Sequence, residues 1–123
     1  MFQKMLQGGG GSSTPFQFST DEQKTNLKWI DGKPIYVKVI NFTTVQSSSW
    51  VKITTIPPDI CVKNIYGSIN NDSNGECYPL NARENENYRF TAIVSSSRSL
   101  VYICMGWSGK TAQIVIEYTK TTD

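Results

Sequence analysis

The stretch P-I-Y-V-K-V-I-N-F, residues 34–42, decides the fold class. Side chains alternate faces along an extended chain, so Ile35, Val37 and Val39 share one side and Tyr36, Lys38 and Ile40 the other. β-Branched and aromatic residues dominate it, as they do in pleated sheet. Upstream, L-K-W-I (27–30) runs into D-G-K-P (31–34), where Asp-Gly is a strong hairpin signal. The block therefore reads as strand, tight turn, strand, with Ile35, Val37 and Val39 expected to face a core.

Working outward, the same texture repeats. W-V-K-I-T-T-I (50–56) is closed by Pro57 and Pro58, and I-C-V-K-N-I-Y-G-S-I (60–69) follows. Three more apolar runs, 88–94, 100–105 and 112–118, are separated by the turns S-S-S-R-S and G-W-S-G-K. A weak capping signal, Ser19 or Thr20 ahead of Glu22, suggests at most one helical turn within 18–23. No segment sustains a helical period. The expectation is an all-β domain: an antiparallel β-sandwich or small jelly roll of about seven or eight strands, spanning residues 16–119. Its expected core is Trp29, Ile35, Val37, Val39, Val51, Ile53, Phe90, Ile93, Val101, Ile103, Ile114 and Ile116. Trp50 reads as a core ring as well.

Composition agrees and excludes. The chain has 123 residues, the length of one domain, with a formal charge of +2. Ser, Thr and Asn make up about a quarter of it, above ordinary globular usage. A near-neutral balance without a basic run leaves no electrostatic footprint for nucleic acid. The absence of histidine removes Ser-His-Asp and Cys-His catalysis and His-ligated metal sites. No apolar run approaches the roughly 20 residues of a membrane-spanning helix, so membrane insertion is not expected.

Residues 1–15 stand apart from 16–123. Phe2, Met5 and Leu6 form an apolar cluster ahead of Gly8, Gly9, Gly10 and Gly11, and the tether ends at Pro15. This pattern reads as a flexible N-terminal arm, with Phe2, Met5 and Leu6 as an anchor for a larger partner. The first seven residues lack the apolar core of a secretory signal, so synthesis in a cytosol is expected.

Few motifs carry chemistry. Cys61, Cys77 and Cys104 are an odd set without a C-x-x-C pair and read as structural thiols, neither disulfides nor metal ligands. N-N-D-S-N-G (70–75) has the oxygen-rich look of half a calcium loop, but Asn81 stands where the bidentate glutamate belongs, so it reads as a polar hairpin turn. Asp59, Glu84 and Glu86 are the carboxylates to test for glycosidase work, and nothing in the sequence pairs them; residues 81–87 read as a solvated loop. No catalytic residue, metal or cofactor is expected. Trp107, in the glycine-flanked turn, and Tyr78 are the candidates for a glycan or subunit contact.

Two blocks carry a resemblance: S-T-D-E-Q followed by W-I-D-G-K-P-I-Y-V-K, within 19–38, and the ending S-G-K-T-A-Q-I-V-I-E-Y-T-K-T-T-D, 108–123. The chain resembles small virion-associated head-fibre and tail-fibre structural proteins of tailed phages of gut bacteria. The likeness covers nearly everything from Phe16 onward, with 41–101 its variable part, and the Gly-rich tether departs from it. It implies a non-enzymatic virion structural protein, a head-fibre or capsid-decorating adhesion module on the virion surface. A homotrimer anchored to other virion proteins, and a host-surface glycan as a further partner, are implied too. The alternatives are a tail-fibre or baseplate receptor-binding domain and a carbohydrate-binding module. The resemblance supplies no catalytic residues.

Overall fold

The structure, a computed structural model, describes residues 16–71, 73–81, 83–85 and 87–123. The anchor expected at Phe2, Met5 and Leu6 lies outside the described residues. The described residues form nine strands: β1 (Gln23–Lys28), β2 (Pro34–Thr43), β3 (Ser47–Thr55), β4 (Ile60–Asn71), β5 (Glu76–Pro79), β6 (Arg83–Asn85), β7 (Tyr88–Val94), β8 (Ser99–Met105) and β9 (Thr111–Lys120). They form two antiparallel sheets, in the orders β1-β2-β9-β4-β5 and β3-β8-β7-β6. The fold is the all-β sandwich the alternation predicts. The segment at 18–23 holds no helical turn; it bends at Thr20 and Asp21 and enters β1 at Gln23. Two short strands were not legible: β6 falls inside the stretch expected as a solvated loop, and β5 is only four residues long.

Each hairpin follows from local chemistry. Asp31 accepts from the Lys33 amide through Oδ1 at 3.0 Å, and the Gly32 amide donates to the Trp29 carbonyl, closing the β1–β2 turn. In the β4–β5 turn the Asn71 carbonyl accepts from both Asn74 and Gly75, and Asn71 Oδ1 takes the Ser73 amide. These are Asx and β-turn contacts, so the stretch is a polar hairpin connection. In the Ser-rich β7–β8 turn the Ser95 amide donates to the Ser99 carbonyl and the Arg98 amide, at a φ of 61°, to the Ser95 carbonyl.

β9 is the middle strand of the five. It pairs with β2 from Tyr36 opposite Tyr118 to Thr43 opposite Thr111, and with β4 from Ile60 opposite Lys120 to Asn70 opposite Thr111. The two sequence blocks that carry the resemblance thus lie side by side. Between the sheets sits one main core: Tyr36, Ile56, Ile69, Phe90, Leu100, Tyr102, Cys104, Trp107, Ile114, Ile116 and Tyr118, with Phe42, Val51 and Ile53 at its margin.

The face expected to be inside is outside on β2. Ile35, Val37 and Val39 join Val115 in a second cluster on the outer side of the five-stranded sheet, backed by Trp29 and Tyr66. Alternation identifies the two faces of a strand but not which one is larger in packed volume. The inward face carries the rings, with Tyr36 stacked on Tyr118 at 5.8 Å and Phe42 against Tyr102 at 4.7 Å. Val101 and Ile103 are buried yet face away from Leu100, Tyr102 and Cys104, on the outer side of the four-stranded sheet. Ile93, opposite Val101, is 40% exposed and Trp50 is 46% exposed, so neither is the core residue expected.

Candidate functional site

The sequence candidates Trp107 and Tyr78 come together. Trp107 sits in the β8–β9 turn and Tyr78 on β5, with ring centroids 4.4 Å apart and planes within 14°. Tyr88 packs at the edge, 5.9 Å away. The turn is held from behind: buried Thr44 donates through Oγ1 to the Trp107 carbonyl at 2.7 Å, and the Gly106 amide donates to Gln46 Oε1. Gly106 must be glycine, since its φ is 82° and a Cβ there would fall 2.3 Å from the Tyr88 ring. Trp107 is left 6% exposed, so it is packed as a core ring rather than presented as a flat platform. Of the three rings only Tyr88, at 40%, offers substantial surface.

The opposite end holds a charged tyrosine cluster that sequence reasoning missed. Tyr118 donates to Glu22 Oε1, Lys120 pairs with Glu22 Oε2 at 2.7 Å, and Tyr36 donates to Asp123 at 2.9 Å. Lys120 also lies 4.4 Å over the Tyr36 ring. Burial pushes the Glu22 carboxyl up, but the hydrogen bonds from Lys120 and Tyr118 and the lysine charges outweigh it and hold it below its usual range. Burial and the Glu22 contact raise the Tyr118 phenol, and the hydrogen bond to Asp123 raises that of Tyr36. The partners are about 100 positions apart in the chain, so no local pattern could have announced them.

Between the two sheets, where β2 and β3 diverge, lies an open cleft of about 580 Å³. Ile40, Phe42, Val51, Ile53 and Tyr102 form its apolar floor, and Lys38 of β2 and Lys52 of β3 border it. Both outer sheet faces carry apolar clusters too. On the four-stranded sheet, Trp50 and Ile93 flank Val101 and Ile103.

Of the carboxylates singled out in the sequence, Asp59 and the strand that carries Glu84 lie apart. Asp59 precedes β4 at the end of the sandwich where β9 finishes, whereas β6, with Glu84, pairs with β7 at the other end. Glu86 lies outside the described residues. Among the described residues no three His, Cys, Asp or Glu side chains gather around a point that could hold a metal ion. The three thiols are free: Cys104 is buried, Cys61 half-buried, and Cys77 exposed rather than packed away. No described helix is long and apolar enough to cross a membrane. Compared with protein families, curated proteins and solved structures, the chain matches none.

Proposed function

We propose that the chain is a non-enzymatic structural and adhesive module of a phage particle, a head-fibre or capsid-decorating protein on the virion surface. It assembles as a homotrimer and is anchored to another virion protein through Phe2, Met5 and Leu6. The observation that carries this reading is the outer face of the four-stranded sheet, where Trp50 at 46% and Ile93 at 40% exposure flank Val101 and Ile103. A sandwich needs only its inner faces apolar, so a second apolar layer on the outside suits contact with other protein. Closed symmetric assembly covers such a face in every copy at once.

The anchor works by multiplicity. Each arm alone binds weakly, because ordering a chain costs about 1–2 kcal/mol per residue against a few buried side chains. Three linked arms gain about 10²–10⁴ in overall binding through effective concentration.

Two measurements test this. Sedimentation of the full chain gives a trimer, and the Trp50→Ser, Ile93→Thr double variant gives a folded monomer by the same measurement. Deleting residues 1–14 leaves the trimer intact but absent from assembled particles. A monomeric full-length chain overturns the fibre reading in favour of a carbohydrate-binding module, and normal particle occupancy of the truncated chain overturns the anchor.

A further inference from the structure

The cleft between β2 and β3 is bordered by main chain as much as by side chains. Six consecutive residues of β2, 38–43, and four consecutive residues of β3, 51–54, line it. A run of neighbours can line one cleft only if the edge of the strand, not one of its faces, borders the space.

Among the described residues, β1 leaves that edge of β2 uncovered beyond Val39. The β1–β2 pairing extends only as far as Gln23 opposite Val37, and beyond it the Val39 amide donates to the Ser19 carbonyl at 2.9 Å. Val39 therefore directs its main-chain groups away from β9. Hydrogen-bonding direction alternates along an antiparallel strand, so Asn41 and Thr43 direct theirs the same way, into the cleft. β3 is likewise the edge of its own sheet, with β8 as its single described neighbour.

We propose that this cleft receives an extended, acidic segment of another polypeptide, which adds to β2 as a strand beside Asn41 and Thr43. Strand addition fits an edge whose donors and acceptors are unpaired, with alternate side chains of the guest entering an apolar floor. Here the floor is Ile40, Phe42, Val51, Ile53 and Tyr102. The acidic character follows from charge complementarity. Lys38 on β2 and Lys52 on β3 both border the cleft, and no described Asp or Glu lines it. Glu22, whose carboxyl feels the Lys38 charge, is engaged by Lys120 at 2.7 Å. Lysines on an edge strand also repel indiscriminate pairing. A guest carrying Asp or Glu at its outward positions turns that repulsion into selection. This inference goes beyond the particle reading, since it holds for any partner with such a segment.

The test uses the full chain, labelled with nitrogen-15, and the peptide acetyl-EVTVDVT-amide. Controls are the same peptide with lysine in place of both acids, and the acidic peptide N-methylated at alternate residues so that it cannot pair. The acidic peptide is expected to shift the Asn41 and Thr43 amides and slow their exchange, while both controls bind at least about tenfold more weakly. Lys38→Glu with Lys52→Glu reverses the preference between acidic and basic peptides. Asn41→Pro removes one cleft-facing N–H without touching the ladder to β9, so it abolishes binding in a folded protein. The N-methylated control reads the same property should that variant not fold. Equal binding of the N-methylated peptide means the cleft takes a small amphiphile by its floor and lysines, and overturns the proposal. So does protection of the Asn41 and Thr43 amides in the unliganded oligomer, which makes a second copy the occupant.

Discussion

Arg98 holds two connections together from a strained position. Its φ is 61°, and its guanidinium donates to the carbonyls of Ile56, Pro57 and Ile60, tying the β7–β8 turn to the segment between β3 and β4. Replacing it by alanine leaves three carbonyls without that donor and keeps the left-handed backbone. The expected loss is about 2–3 kcal/mol by urea unfolding. Arg98→Gly recovers about 1 kcal/mol of that, because glycine adopts positive φ freely. Tyr66 predicts an alkaline limit. Burial, then the Glu117 charge and hydrogen bond, push its phenol up to about 12 from 10.0, so the fold favours the neutral ring. That contribution is full below pH 10 and is lost as pH rises from there through about 12. Tyr66→Phe flattens this part of the stability profile. Glu22 works the other way, its lowered carboxyl stabilising the fold above pH 4.5 and losing that contribution as pH falls through the lower folded value. Glu22→Gln removes the acid-dependent part. Among the thiols, reagent should reach Cys77 first in the native protein, Cys61 more slowly, and Cys104 only on unfolding.

At the scale of elements, Tyr88–Val94 was legible to the residue and β8 and β9 nearly so, because short apolar runs between Ser- and Gly-rich turns leave few choices of period. Which face goes inward was not legible. Ile35, Val37 and Val39 look like a core stripe, and only the partner rings Tyr118 and Tyr102, about 80 and 60 positions away, decide otherwise. Trp107 shows the same limit: a glycine-flanked turn suggests exposure, and the covering ring belongs to the β5 hairpin. β6 escaped because R-E-N carries no apolar residue to register a period. Trp107→Ala should therefore cost about 3–5 kcal/mol in thermal or urea unfolding. Trp50→Ala should stay within about 1 kcal/mol for the fold itself. Gly67, in β4, has φ 149° and no room for a side chain, since a Cβ would meet the Gln113 carbonyl at 2.1 Å. Gly67→Ala should break the β4–β9 ladder locally and lower the melting temperature more than any surface change. Hydrogen exchange at residues 64–70 would report it.

For the whole molecule, the sandwich is stitched between its sheets by order of pairing rather than by proximity in sequence. β2, β4 and β9 share one sheet while β3, β7 and β8 share the other, so the chain crosses between layers repeatedly. Fold class was readable from alternation, but the pairing order was not, because it depends on contacts separated by most of the chain. β9 lies between β2 and β4, which are completed long before it. On a ribosome adding about 5–20 residues per second, the wait between finishing β2 and starting β9 lasts several seconds. Until β9 emerges Ile35, Val37, Ile65 and Ile69 have no central strand to lie against, and the nascent chain offers them to chaperones. A stop codon anywhere before residue 111 should therefore yield a chaperone-bound or degraded product rather than a smaller sheet. Pulse-chase with protease challenge should find resistance appearing only after residue 120 has cleared the exit tunnel.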